Sequence, residues 1–277
     1  MNSLSVSGKS QLCLVIGDPI SHSLSPAMHN AAYAAAQVDF IMAAAHVSAD
    51  KLGDAVRGVR ALQIRGLAVT MPHKVSIIEH LDELDPTAQQ INAVNTVVNN
   101  GGMLTGYNTD WLGIVRPLER LVTLEGKKVA VLGAGGAALA AVFGCMKQGA
   151  SVTVHNRTQE SASALAHRFS CSCGNLTDFD AISLADIIIN TTAVGMAELS
   201  GQAPIPHTAL RKEQIVFETI YAPYTTHLVQ QALDCGAQVV RGLDMFLEQG
   251  SAQFELHTGV KPPREEMERI LLRAAEA

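Results

Sequence analysis

The sequence predicts an α/β protein with largely parallel sheets, and three observations carry that expectation. Apolar strand-like runs alternate with amphipathic or Ala-rich stretches of helical length from end to end. A glycine-rich turn stands between one such strand and an Ala-rich helix. The 277 residues, 48% of them hydrophobic, suffice for two modest cores or one large one.

The runs that read as strands are Leu12–Ile16, Val38–His46, Gly66–Thr70, Val94–Val98, Val129–Leu132, Val152–His155, Ile187–Asn190 and Val216–Ile220. Asn99-Asn100-Gly101-Gly102 separates two runs able to pair as a hairpin. Trp111–Leu121 reads as a helix, and the polar break Glu125-Gly126-Lys127-Lys128 before a fresh strand is the best boundary by composition. From about Asp244 the chain is helical again, interrupted near Pro262-Pro263, and it is placed to return to the first domain.

Composition narrows the function. The formal net charge of -6 and the lack of a Lys/Arg-rich run argue against a nucleic-acid partner. No stretch approaches the roughly 18 apolar residues of a membrane span. The first residues, MNSLSVSGKSQ, lack a secretory pattern and read as a short disordered lead-in, so the expected location is cytoplasmic. The five cysteines are odd in number and irregular in spacing, which suits reduced thiols. Cys171-Ser172-Cys173 has no second ligand pair, and no metal is expected.

The segment from Lys127 to Thr158 is the most readable. A strand runs into Gly133-Ala134-Gly135-Gly136-Ala137-Ala138, then a helix, then a second strand ending at Asn156. In this G-x-G-x-x-A pattern Gly133 permits the tight turn, Gly135 admits a pyrophosphate to the backbone, and Ala138 allows close helix–strand packing. The diphosphate would lie at the helix N-terminus, where free N–H groups point outward. After the second strand comes Asn156-Arg157-Thr158 rather than an acid. A guanidinium cannot accept a bond from a ribose hydroxyl but suits a 2′-phosphate, which favours NADP over NAD. The plainer alternative is a solvated arginine at a strand end.

Polar clusters follow three other strands: Gly17 to Pro26, Val69 to Lys74, and Asn108-Thr109-Asp110 preceded by Asn95-Thr96. Ligands of open α/β sheets bind beyond the carboxyl ends of strands. Hydroxyls, amides, one Lys and one Asp suit a polyhydroxylated small molecule. Removing hydride from an alcohol carbon requires loss of the hydroxyl proton, which Lys74 can accept if a carboxylate such as Asp110 balances it. Each residue has a plainer reading. Pro72 looks like the first residue of a helix, which makes Thr70 a cap and Lys74 a solvated first-turn lysine. Asp110 reads equally as a cap. His22, His29 and His73 read as hydrogen-bonded structural residues.

Together the stretches GDPISHSLSPAMHN, VTMPHK, AVNTV, GYNTDWLG, GAGGAA, NRT, IYAP and GLDMFLEQGSAQFELHTG resemble the shikimate dehydrogenase family, in the family's order and over nearly the whole chain. The resemblance implies an N-terminal open α/β substrate domain, a Rossmann-like NADP-binding domain and a cleft between them. The domains expected are 1–112 for substrate and catalysis, with helices in 245–277 packing back on it, and 113–244 for NADP. The implied reaction interconverts 3-dehydroshikimate and shikimate with NADP(H), a step of aromatic amino acid biosynthesis. By resemblance, Ser23 and Ser25 bind the substrate carboxylate. Thr70, Asn95, Tyr221 and Gln249 contact its hydroxyls or carboxylate, and Lys74 and Asp110 are the catalytic pair. Gly133, Ala134, Gly135, Gly136 and Ala137 form the pyrophosphate loop, Asn156, Arg157 and Thr158 the adenosine-phosphate site, and Gly242 a nicotinamide contact. A monomer or homodimer is expected.

Three residues depart from the family's pattern. Ala68 replaces the Asn of Asn-Val-Thr, His73 stands where Phe is common, and Ser161 replaces the last Arg of N-R-T-x-x-R. Loss of an amide in a polar site shifts substrate choice by about one to a few kcal/mol. A relative acting on quinate or aminoshikimate, with NAD or NADP, is therefore the alternative expectation. A non-catalytic ligand sensor is a third, against which the presence of both Lys74 and Asp110 counts.

Overall fold

Among the residues described in the computed structural model, 6–275, the chain forms two six-stranded sheets. The lead-in expected at the N-terminus falls largely on residues 1–5, outside the described residues. Two compact units result, one of residues 1–109 with 249–277 and the other of 110–248.

The first unit carries β1 (Gln11–Gly17), β2 (Phe40–His46), β3 (Gly66–Val69), β4 (Glu83–Leu84), β5 (Thr96–Asn100) and β6 (Met103–Tyr107) in the order β2-β1-β3-β5-β6-β4. β1 is parallel to β2 and β3, whereas β5 is antiparallel to β3 and β6. This sheet is thus mixed rather than parallel, and the reason is local. Asn100 pairs with Met103, leaving Gly101 and Gly102 as a two-residue loop with φ of 63° and 99°. Two positive φ values in succession match the right-handed twist of a hairpin and favour glycine.

Helices α1 (Ser25–Ala35), α2 (Leu52–Ala61) and α3 (Pro86–Ile91) are interleaved with these strands. On one side of the sheet, Ile16, Leu67, Val69, Val97 and Leu104 pack with Val56 and Val59 of α2 and with Ile77. Residues alternate across a strand, so Gly66 and Ala68 point to the opposite side. There Tyr33 of α1 stacks on Phe254 with ring centroids 5.4 Å apart.

The second unit carries α4 (Asp110–Glu119), β7 (Lys128–Leu132), α5 (Gly136–Lys147), β8 (Ser151–Asn156), α6 (Gln159–Phe169), β9 (Ser172–Asn175), α7 (Phe179–Ser183), β10 (Ile187–Asn190), β11 (Ile215–Glu218), α8 (His227–Asp234) and β12 (Gln238–Val240). Its strands run in the order β12-β11-β10-β7-β8-β9, all parallel. Helices bury both faces: Val129 and Val131 face α4 and α5, while Ala130 and Leu132 face α7 and α8. The chain closes with α9 (Gly242–Thr258) and α10 (Arg264–Ala275), the latter packed on α1. No helix among the described residues is long and apolar enough to cross a membrane.

The helix read at Trp111–Leu121 belongs with the second sheet, ahead of the polar break. A Cβ at Gly144 of α5 would stand 2.8 Å from Val115 Cγ2 and 3.3 Å from Trp111 O, so this glycine sets the closeness of α4 to α5. Gly144→Leu overpacks that contact and should lower stability by about 1–3 kcal/mol. An earlier urea midpoint checks this, and an unchanged midpoint would show that α4 can move away freely.

Candidate active site

In the first unit, the polar loops after β1 and β3 meet. A Cβ at Gly17 would lie 2.5 Å from Thr70 Cγ2 and 2.9 Å from Met71 O, so the two loops cross where only glycine fits. Thr70 N donates to Ile16 O at 3.0 Å and Asp18 N to Met71 O at 2.9 Å. The Asp18-Pro19 and Met71-Pro72 peptides are cis. Ser23 is half-buried and its Oγ accepts from Ser25 N at 3.3 Å, while Ser25 is buried at the start of α1.

Pro72 does not open an α-helix. Residues 71–75 form turns, with His73 N donating to Thr70 O at 2.9 Å, and a 3-10 helix follows at Ser76–His80. The fully buried His73 holds this shape, its Nε2 meeting Val47 O at 2.7 Å. Lys74 is therefore half-buried in a turn rather than solvated on a helix, and its carbonyl accepts from Val94 N at 2.7 Å. That bond ties it to the segment leading to Asn95 and β5.

Asn95 is 1% exposed, and its amide is held on both ends. Its Oδ1 accepts from Thr109 N at 2.7 Å and Thr96 Oγ1 at 2.9 Å, and its Nδ2 reaches Thr109 Oγ1 at 2.8 Å. A longer contact of 3.4 Å runs from Nδ2 to Gln249 Oε1. Asn108 Nδ2 donates to Ala93 O at 2.9 Å, so both residues before Asp110 are fastened to the β5 approach. The first unit thus places Ser23, Thr70, Lys74 and Asn95 on hydrogen-bonded loops, with Ser25 at the start of α1 and Gln249 on α9. Thr109, adjacent to the expected carboxylate, was visible only as a polar neighbour. Its role as the partner of Asn95 is tertiary.

The other expected residues lie in the second unit. Asp110 is the buried first residue of α4, with Thr109 before it, so it sits within the helix rather than ahead of it. Gly133 has φ of 110°, and a Cβ there would fall 2.6 Å from Thr191 Oγ1. Gly135 differs, since a Cβ there would meet nothing within 4 Å. The fold does not require that glycine, and the open space beside it leaves the backbone at the N-terminus of α5 accessible. Gly135 is the N-cap of α5 and offers no side-chain cap, which leaves the first N–H groups, those of Gly136 and Ala137 among them, to an anion. Ala134 is half-buried in the same turn and packs against the apolar core.

The turn lies where β7 is flanked by β8 on one side and β10 on the other, the switch point of this sheet order. At the end of β8, Asn156 Nδ2 donates to Thr158 O at 3.0 Å, and Arg157 is exposed without an ion pair to any described residue. These features fit a dinucleotide bearing a further phosphate.

Tyr221 follows β11 and meets Phe246 edge-on at 4.9 Å. Gly242 begins α9 so close to this loop that a Cβ would lie 2.3 Å from Ile220 O. The loop is organised by Glu218, which composition and motifs do not reveal. Its carboxylate accepts from Asn190 Nδ2 at 2.9 and 3.2 Å, Thr226 Oγ1 at 2.8 Å and Ile220 N at 3.1 Å. Thr226 Oγ1 in turn accepts from Val229 N and caps α8.

The order of strands in the second unit, with its glycine turn at the switch point, defines a dinucleotide-binding α/β protein. Comparison with known proteins is more specific. The model of the shikimate dehydrogenase substrate binding domain matches residues 15–97, that of shikimate / quinate 5-dehydrogenase 118–219, and that of the shikimate 5'-dehydrogenase C-terminal domain 242–272. A shikimate dehydrogenase (NADP(+)) of Bacillus cereus is 42% identical over 275 residues, covering 95% of this chain and 98% of that one. The shikimate 5-dehydrogenase of Thermus thermophilus, solved with NADP(H) and shikimate, superposes with a TM-score of 0.89 at 35% identity, over 95% of this chain and 99% of that one. The Listeria monocytogenes enzyme, solved with shikimate and NAD, gives 0.88 at 35% identity, over 96% and 98%. The chain belongs to the shikimate dehydrogenase family.

Burial pushes the Glu218 carboxyl up from 4.5 to about 7, outweighing its donors. A raised folded pKa stabilises the protonated form, so this group's contribution is complete below about 4.5 and is lost as pH rises through about 7. Glu218→Gln does not titrate. The stability advantage of the parent over this variant should therefore be largest at low pH and shrink between pH 4.5 and 7. Paired urea titrations across that window test it, and a difference that grows with pH would contradict the assignment.

Proposed function

We propose that this protein interconverts 3-dehydroshikimate and shikimate with NADP(H). Family membership over 95% of the chain supports this, and the observation that carries it is the held state of the two reacting positions. Lys74 is fixed through Val94, and Asp110 follows a Thr109 locked to Asn95.

NADP supplies the hydride acceptor for the alcohol carbon, or the donor for the ketone. The chain manages the proton. In the direction of oxidation Lys74 takes the hydroxyl proton as the carbon–hydrogen bond is lost, and in reduction it returns it to the developing alkoxide. Asp110 supplies the negative charge that balances the ammonium form of Lys74. Ser23 and Ser25 offer hydroxyl donors to the substrate carboxylate. Thr70, Asn95, Tyr221 and Gln249 bind its polar groups. Gly133 to Ala137 cradle the pyrophosphate, Asn156, Arg157 and Thr158 hold the adenosine phosphate, and Gly242 backs the nicotinamide. In this reading the first unit supplies most of the substrate's contacts, and the second supplies the NADP site together with Asp110 and Tyr221.

A second reading rests on Ala68, buried in β3 where an amide is absent. It is a quinate or aminoshikimate dehydrogenase of the same fold. Turnover of the purified protein on shikimate and on quinate, each with NADP and NAD, separates the two. Shikimate with NADP is expected to be preferred, and absence of shikimate oxidation with either cofactor overturns the proposal.

Lys74→Ala should lower kcat by roughly 10²–10⁴-fold while changing shikimate affinity much less, because a proton-transfer group acts most in the transition state. A rise in KM with intact kcat would make Lys74 a binding residue only. Arg157→Ala should raise KM for NADP by roughly tenfold or more, the worth of one charge-assisted contact, and leave NAD unaffected. Equal losses for both cofactors would remove Arg157 from the 2′-phosphate site.

A further inference from the structure

Within the first unit, α9 turns three polar residues to one side. Gln249, Gln253 and His257 are spaced four apart and so share one face of the helix. All three reach Asn95 or β5, the strand that directly follows it. Gln249 Oε1 accepts from Asn95 Nδ2 at 3.4 Å, Gln253 Nε2 donates to Asn95 O at 3.0 Å, and His257 Nε2 meets Val97 O at 3.2 Å. The spacings agree: four residues of helix rise about 6 Å, and two residues of strand advance about 6.6 Å. The ladder therefore holds α9 in one axial register against β5.

Two further features show a fitted seat. A Cβ at Gly66 would lie 2.5 Å from His257 Cδ2 and Nε2 and 2.8 Å from Val97 O, so the imidazole occupies space that a side chain would fill. The helix end is pinned as well, since Arg65 Nε donates to His257 O at 3.0 Å and Nη1 to Asn99 O at 2.8 Å. A carbonyl only accepts, so the proton of His257 sits on Nε2. Burial lowers its pKa to about 4 and keeps the ring neutral.

The Gln249–Asn95 contact is long and fixes neither amide by itself. The shorter bond from Gln253 to Asn95 O grips the main chain of the same residue from one turn further along. We propose that Gln253 and His257 are positioning residues. They set the height and rotation of α9 so that the amides of Gln249 and Asn95 are presented together to the substrate. This rests on the dehydrogenase reading above. It assigns a function to two buried polar residues outside the set proposed to contact the substrate or its cofactor.

The test uses the full-length protein, with shikimate and NADP binding measured separately by calorimetry alongside steady-state kinetics. Gln253→Met keeps the bulk and removes the donor. It should raise KM and Kd for shikimate at least tenfold while NADP affinity stays within twofold. His257→Gln retains a donor at similar reach and should behave like the parent, whereas His257→Leu should reproduce the shikimate defect. The histidine pair decides the matter should Gln253→Met fail to fold. Shikimate affinity within twofold of the parent in folded Gln253→Met or His257→Leu overturns the proposal. So does a parallel loss of both ligands, which marks a general structural effect, or a His257→Gln variant as defective as His257→Leu. A parent that neither binds nor oxidises shikimate overturns the dehydrogenase reading instead, and this inference falls with it.

Discussion

Asn95 is the residue through which the parts of the first unit depend on one another. A buried amide must have its hydrogen bonds made within the protein, because leaving one unmade costs about 1–3 kcal/mol. Asn95 meets that demand with groups from four directions. Its N–H donates to Tyr107 O at 3.0 Å and its carbonyl accepts from Val69 N at 2.7 Å and from Gln253. Its side chain engages Thr96, Thr109 and Gln249. The end of β3, the turn before α4 and the middle of α9 are thereby fixed to one point. Lys74 and Asp110 each follow closely on one of these anchored segments.

The glycines of the second unit separate requirements of the fold from requirements of a ligand. Gly133 and Gly242 are demanded by the protein itself, since a Cβ at either would collide with Thr191 or Ile220. Gly135 is demanded by nothing in the protein. Its bare backbone at the start of α5, without a side-chain cap, leaves room for the pyrophosphate that the proposed reading places there. The same contrast holds for charge. Glu218 is buried and fully donated to, and it shapes the loop of Tyr221, whereas Arg157 stands exposed without an ion pair to any described residue.

The legible parts of the sequence were those governed by local rules. Buried strands such as Ile187–Asn190 announce themselves as apolar runs, and Gly101-Gly102 announces a hairpin. That hairpin also implied antiparallel pairing, which the expectation of largely parallel sheets underweighted. Three strands escaped notice. β4 and β12 are only two and three residues long, and β9, Ser-Cys-Gly-Asn, is polar because it is an edge strand open to solvent. Pro72 suggests a helix start, whereas here His73 is drawn inward to Val47 and a turn precedes the 3-10 helix at Ser76–His80. Glu218, Gln253 and His257 look like ordinary surface residues in the sequence, because their partners come from segments distant in the chain.

Ala68 lies where the packing of β3 meets the polar face of α9. It lies two residues after Gly66 on the same strand, so its methyl group points to the side on which His257 is seated. The β3 residues beneath α9 are thus glycine and alanine, and the helix brings its own polar ladder to that surface. An amide at position 68 would project toward the same side as that ladder. With alanine there, the polar groups that the proposed reading gives to a substrate's ring within this unit are those of Thr70, Asn95 and Gln249. The 3.4 Å contact of Asn95 Nδ2 with Gln249 Oε1 is longer than those of the Asn95 amide with Thr96 and Thr109. Under the proposed reading, discrimination would then rest on fewer bonds, with the Asn95 amide fixed in place by the protein. Fewer donors relax the choice among related cyclic hydroxy acids, while rigid placement sharpens it again, because a donor that cannot move cannot adapt to a displaced hydroxyl.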